Sequence, residues 1–144
     1  MADQLRLNEH QTLRILASGP ERLELESTWA PGGTPPRTHW HPSQHEHFEV
    51  LGGELTVEVD GQPARTLGVG ESLQVPPRTA HRMWNAGPVV TRASWRVTPA
   101  QRTEQMFRTI AGGLNPVSAV LLLWRHRGEM RLGSPRTSRG RTET

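Results

Sequence analysis

The stretch HWHPSQHEHFEV, residues 39–50, gathers four of the chain's seven histidines and two glutamates. It reads either as a solvated polar loop or as half of a metal site, and strand parity bears on the choice. His39 and His41 stand at alternate positions, so on a strand both rings share a face. Pro42-Ser43-Gln44 offers a turn. Glu46 then falls in parity with Phe48 and Val50, which belong inside, while His47 and Glu49 point outward. A carboxylate turned into a core is costly unless it is paired or ligated. The imidazoles beside it supply a reason: all three groups could hold one cation.

A fourth ligand has to come from elsewhere, and His81 is the best offer. It follows VPPRTA at the start of a strand, with Met83 and Asn85 in the same parity. Three imidazoles and one carboxylate suit a divalent first-row transition metal; iron, manganese, nickel, cobalt, copper and zinc all accept the set. An octahedral ion would keep positions open for water, substrate or dioxygen. His45 and His47 fall in the turn or outward and read as solvated, and His10 and His126 lie outside the pattern.

The flanking sequence is strand-like. ERLELESTW alternates, with Leu23, Leu25 and Trp29 on one face and Glu24 and Glu26 on the other. HFEVLGGELTVEVDGQ gives two strands around Gly52-Gly53, ending in the hairpin signal Asp60-Gly61. ARTLGVG and ESLQVPP are short and turn-bounded. VVTRASWRV places Val89, Ala93, Trp95 and Val97 opposite Arg92 and Arg96. Roughly eight short strands between about residues 12 and 97 predict an all-β antiparallel sandwich or barrel.

The texture changes at Thr98. TPAQRTEQMFRTIAGG predicts a helix, with Thr98 as N-cap, Pro99 first, and Gly112 or Gly113 as the stop. NPVSAVLLLWRHRGEMRL predicts a second, capped by Asn115, with Val117, Val120, Leu121 and Trp124 as an apolar stripe. The expected organisation is a barrel over 1–98, a helical pair over 99–132 packed on the barrel or on a dimer partner, and a flexible polar tail over 133–144. The second helix is too apolar to lie in a nucleic-acid groove, so no nucleic acid is expected.

Composition removes other chemistry. The 144 residues suffice for one domain with a real core. There is no cysteine and no tyrosine, and all 17 basic residues are arginine. A cysteine nucleophile, a thiolate ligand, a lysine Schiff base and a phenolic acid are therefore excluded. The net charge of +3 is modest, and the pI near 11.1 reflects arginine's failure to titrate. No stretch approaches a membrane span and the N-terminus lacks an apolar signal region, so a cytoplasmic protein is expected.

The histidine stretch and the His81 segment together resemble the cupins, in particular the small single-domain bacterial ones. The first cupin motif, G-x5-H-x-H-x4-E-x6-G, is met by Gly33, His39, His41, Glu46 and Gly53. The second, G-x5-P-x-G-x2-H-x3-N, is met by Gly70, Pro76, His81 and Asn85, with Arg78 in place of a glycine. The resemblance runs closely over about residues 20–97 and more weakly into the helical end. It implies a double-stranded β-helix (jelly-roll barrel), one metal on His39, His41, Glu46 and His81, and a homodimer, often built by sharing an edge strand. It does not fix a reaction.

Two functions are consistent with these residues. One is a metalloenzyme on a small organic molecule, of dioxygenase or isomerase/cyclase type, with Glu46 and His81 as the candidate catalytic residues. Glu46 would serve as base on detaching, a role less suited to His81 while ligated. The other is a non-enzymatic cupin that binds or senses a ligand, its metal structural or absent. Arg37 shares parity with His39 and is a candidate substrate anchor, balanced against a plain surface arginine. Met83 and Trp95 are candidate substrate contacts balanced against barrel core, as is Trp29. Gln44 reads as a solvated turn residue, with a supporting donor as the alternative. Asn85 reads as a turn tie. Trp40 and Trp84 lie on the opposite parity and read as surfaces buried by a helix or partner.

Overall fold

A computed structural model describes residues 4–135. The tail's residues 136–144 lie outside the described residues. The strands are β1 (Gln4–Arg6), β2 (Gln11–Ser18), β3 (Leu23–Trp29), β4 (His39–Trp40), β5 (His45–Gly52), β6 (Leu55–Val59), β7 (Arg65–Leu67), β8 (Ser72–Val75), β9 (His81–Trp84), β10 (Thr91–Thr98) and β11 (Arg131–Leu132). Helices α1 (Thr103–Ala111) and α2 (Pro116–Arg125) separate the last two. One sheet runs β1-β2-β3-β10-β5-β8 and the other β11-β4-β9-β6-β7, all paired antiparallel. The fold is the expected double-stranded β-helix. The sequence reading missed β1 and β11, which are three and two residues long and too short to carry a period.

Alternation places the core. In β3, Leu23, Leu25, Ser27 and Trp29 point in; in β5, Glu46, Phe48 and Val50 do. The register Trp95↔Phe48 and Val97↔Glu46 between β10 and β5 stacks the inward rows of adjacent strands. Val89 is not part of that row: it precedes the strand and is exposed, as is Val90. Asp60 and Gly61 both take positive φ, as the hairpin signal requires. Gly53 is a glycine for two reasons: its φ is 73°, and a Cβ there would stand 2.4 Å from the Val90 carbonyl oxygen.

The first helix starts later than its sequence predicts. Thr98 is consumed by β10, where it pairs with His45. The carbonyls of Pro99 and Ala100 accept from Gln44 Nε2 at 2.9 Å each. The helix therefore begins at Thr103, and its N-cap, Arg102, has no side-chain cap of its own. The second helix begins as read, with a reciprocal capping box between Asn115 and Ser118. Its stripe does not pack on the barrel, however: Val117, Val120, Leu121 and Trp124 are exposed, and Leu122 is the residue buried. Among the described residues no helix is long and apolar enough to cross a membrane.

Candidate metal centre

β4 and β9 pair with His39 directly opposite His81. His41 leaves the end of β4, and Glu46 enters from β5 in the facing sheet. The ligand-bearing atoms of His39, His41, Glu46 and His81 all lie within 4.8 Å of one another. His41 Nε2 is 2.7 Å and His81 Nε2 2.9 Å from the same Glu46 oxygen, Oε1. Donor atoms about 2.1 Å from one ion and at right angles to each other would be about 3 Å apart.

The outer side of each ring fixes what the inner side presents. His41 Nδ1 donates to the Glu129 carbonyl at 2.7 Å and His81 Nδ1 to the Thr79 carbonyl at 2.8 Å. His39 likewise bonds the Arg37 carbonyl. Carbonyls only accept, so Nδ1 of His41 and of His81 carries a proton, and Nε2 of the neutral rings aims a lone pair at Glu46. The other carboxylate oxygen, Oε2, accepts from Trp95 Nε1 at 2.7 Å. His41 Nε2, His81 Nε2 and Glu46 Oε1 are buried without a hydrogen-bond partner. Lone pairs facing one another at this range call for a positive charge between them. The donor set thus fits a divalent ion.

The titration behaviour follows from the same geometry. Burial, reinforced by His81, pushes the His39 pKa down to about 3. Burial acts the same way on His41, but the Glu46 carboxylate outweighs it and holds that ring above its ordinary range. Glu46 is fully buried, which opposes its charge, yet His41 and His81 hold it well below the usual carboxylate range. The two imidazoles thus favour the ionised carboxylate despite its burial.

A cavity of about 180 Å³ opens on the cluster. Met83 and Trp95 line it, as does Trp29; Trp95 also stacks on Phe48 at 5.1 Å. Arg37 does not: it is exposed and absent from the lining, because the prolines before it break strand parity. Sequence reasoning missed the roof, which α1 supplies through Met106, Phe107 and Ile110. It also misplaced Gln44, which is 1% exposed and brackets the start of α1 through Pro99, Ala100 and Thr103. Trp40 and Trp84 are buried within the chain. Arg78 and Arg131 lie over Trp40, and Arg82 over Trp84. A second hollow shares Gln11, Trp29, Pro36 and Met83 with the cavity.

The two motifs meet physically. Gly33 N–H donates to the Asn85 carbonyl at 2.7 Å, and the Asn85 side chain ties Trp29, Gly87 and Val89. Arg78, at the motif's glycine position, keeps the turn by adopting φ 61° and donating its N–H to the His41 carbonyl at 2.8 Å. That conformation costs a non-glycine residue about 1 kcal/mol.

Residues 25–95 match the family model described as Cupin domain. A 50-residue stretch is 54% identical to a probable oxidoreductase, yanE, of Aspergillus niger, covering 34% of this chain and 19% of that protein. An 84-residue stretch is 32% identical to an oxidoreductase of Arthrobotrys oligospora, covering 58% of this chain and 28% of that protein. The chain thus spans under a third of the length of either curated relative. Among solved structures, KdgF from Halomonas sp. superposes with a TM-score of 0.63 at 20% identity, over 71% of this chain and 92% of that one; this is a likeness of fold. The chain belongs to the cupin superfamily.

Proposed function

We propose that this chain is a metal-dependent cupin oxidoreductase, acting on a small neutral organic molecule bound against His39, His41, Glu46 and His81. The observation that carries the reading is the convergence of imidazole and carboxylate lone pairs on one point, each ring held from behind by a main-chain carbonyl. The oxidoreductase names of the two fungal relatives support the reaction type. A divalent ion held by His39, His41, Glu46 and His81 would supply Lewis acidity toward a substrate oxygen and the redox capacity for chemistry with dioxygen.

The chain's own residues set what enters. The cavity wall is mostly apolar and aromatic, and none of the described residues that line it is an arginine. An anionic group far from the cluster would find no counter-charge there, so charged substrates are disfavoured. A cavity of roughly 150 Å³ accommodates benzene, and this one is about 180 Å³. A single ring or short diketone with oxygens turned toward the histidines fits. Trp95 holds Glu46 in place through its indole N–H, and Phe107 and Met106 keep water from the roof. Glu46, held ionised, acts in this reading as ligand first and as proton acceptor only on release.

The test is metal analysis of the purified protein, followed by oxygen uptake with catechols, 1,3-diketones and flavonols. Near-stoichiometric metal and uptake with the small substrates are expected. A metal-replete protein that transforms them without oxygen would favour the isomerase or cyclase chemistry. One that leaves them unchanged would favour the ligand-binding cupin. The assembly we propose is a homodimer; the exposed row Val117, Val120, Leu121 and Trp124 supports burial against a second copy, since monomers rarely expose a larger contiguous apolar patch. Sedimentation equilibrium tests it.

A further inference from the structure

Glu129 lies in the turn after α2, outside the residues that match the cupin family model. Its side chain is 3% exposed. A carboxylate this buried is retained only when its partners are good. Its partner is Arg102, at the start of α1: Oε1 accepts from Arg102 N at 3.3 Å and from Arg102 Nε at 3.2 Å. Glu129 thereby supplies the cap that α1 lacks from its own N-cap residue, at the helix end where negative charge is favoured. Arg102 Nη2 also donates to the Arg125 carbonyl at 2.6 Å, tying the end of α2 to the same point. Buried His126 flanks the other oxygen at 3.7 Å.

The main chain of this residue does something else. Its carbonyl is the acceptor for His41 Nδ1. The residues beyond it run beside the ligand strand: β11 pairs with β4 as Arg131↔Trp40 and Leu132↔His39, and Gly133 N–H donates to the Thr38 carbonyl at 2.8 Å. Met130 lines the cavity. One residue is thus anchored to α1 by its side chain and to a metal-site imidazole by its backbone.

We infer that Glu129 is a positioning residue for the metal centre: its ion pair with Arg102 sets the depth of the C-terminal segment, and so the tautomer and orientation of His41. The inference rests on the proposed metal reading, and its test separates the two. Cobalt(II) affinity, by chelator competition, and the cobalt absorption bands are measured for the parent, Glu129→Ala, Glu129→Gln, Arg102→Ala and, as a packing control, Leu5→Ala. The His41 ring nitrogens are followed by 15N NMR in the metal-free proteins. Glu129→Ala and Arg102→Ala are expected to weaken cobalt binding roughly 10- to 100-fold, shift the absorption bands and mix the His41 tautomers. Glu129→Gln, whose amide oxygen still accepts from Arg102, is expected to recover most of the affinity.

Parental affinity and a parental His41 signal in Glu129→Ala would overturn the inference. An equal loss in Leu5→Ala would overturn it too, since that is general loosening. If the parent itself binds no cobalt, the metal reading fails, and the His41 tautomer in Glu129→Ala decides the positioning role alone.

Discussion

The two ends of the barrel interior differ in what they are filled with. At the closed end Val50, Leu55, Val57, Leu67 and Leu73 pack against one another, each no more than 5% exposed and none with a polar side chain. At the open end, under α1, the inward positions are His39, His41, Glu46 and His81, with a cavity beside them. The same strands serve both: β5 carries Glu46 at one end and Val50 at the other. Burial of apolar area is the stabilising term, and it flanks the site on both sides: in this cluster, and in a second under α1 that includes Leu13, Leu23, Leu25, Val97, Met106 and Phe107. The polar end is tolerated because its groups are tied from behind by carbonyls and an indole. Along β5, ligand and apolar core residue are thus separate positions.

The sharpest way to break that separation is His41→Ala. It is expected to strip most of the bound metal and any activity, while circular dichroism and the thermal transition show a retained fold. Full metal occupancy in the purified variant would mean the ligand assignment is wrong. The mirror experiment is Leu55→Ala at the closed end. Leu55 is fully buried, and removing its side chain is expected to cost about 2–5 kcal/mol in denaturant unfolding. Metal stoichiometry of the folded protein should not change. A Leu55 variant that folds normally but loses metal would show that the two ends are coupled.

Trp95 stands between them. Its ring packs with Phe48 and with Phe107, and its N–H holds Glu46. Trp95→Phe keeps an aromatic wall and removes the donor, leaving a buried carboxylate oxygen unpaired. A loss of about 1–3 kcal/mol in the metal-free protein is expected, together with weaker metal binding. A loss of stability with unchanged metal affinity would reduce Trp95 to a core residue.

Period-two patterning was enough to recover the inward row of β5 and, with the histidine spacing, the four clustered side chains. It worked for the first three because buried Trp40 alone separates His39 from His41 and a short turn leads on to Glu46. It failed where position depends on a partner far along the chain. Thr98-Pro99 looks like a helix start, but β10 claims Thr98 because β5 is there to pair with it. Gln44 looks like a solvated turn residue until Thr103, 59 positions later, comes to meet it. The stripe on α2 has a helical period, but periodicity alone does not say whether anything covers it. Nothing local in RGEMRL announces that a main-chain carbonyl there will face His41 from 88 residues away.

The C-terminal segment offers the smallest and most localised contrast with the closed end. His126 is buried beside Glu129, Arg102 and Arg125. Burial and the two arginines lower its pKa, and the Glu129 charge only partly offsets them. The folded protein therefore holds this ring neutral where the unfolded chain would protonate it. The linkage has one sign: as pH falls below the ordinary histidine value of about 6.5 the unfolded state takes up the proton first, and stability declines. His126→Gln removes that contribution. Measured by urea unfolding between about pH 7 and pH 5, the parent should lose more stability than His126→Gln, with the difference closing at neutral pH. Leu55→Ala, which leaves His126 and its neighbours untouched, should leave the parent's slope intact. Parallel pH profiles for the parent and His126→Gln would show that water reaches the ring, and that the seal around Glu129 is looser than the packing at the closed end.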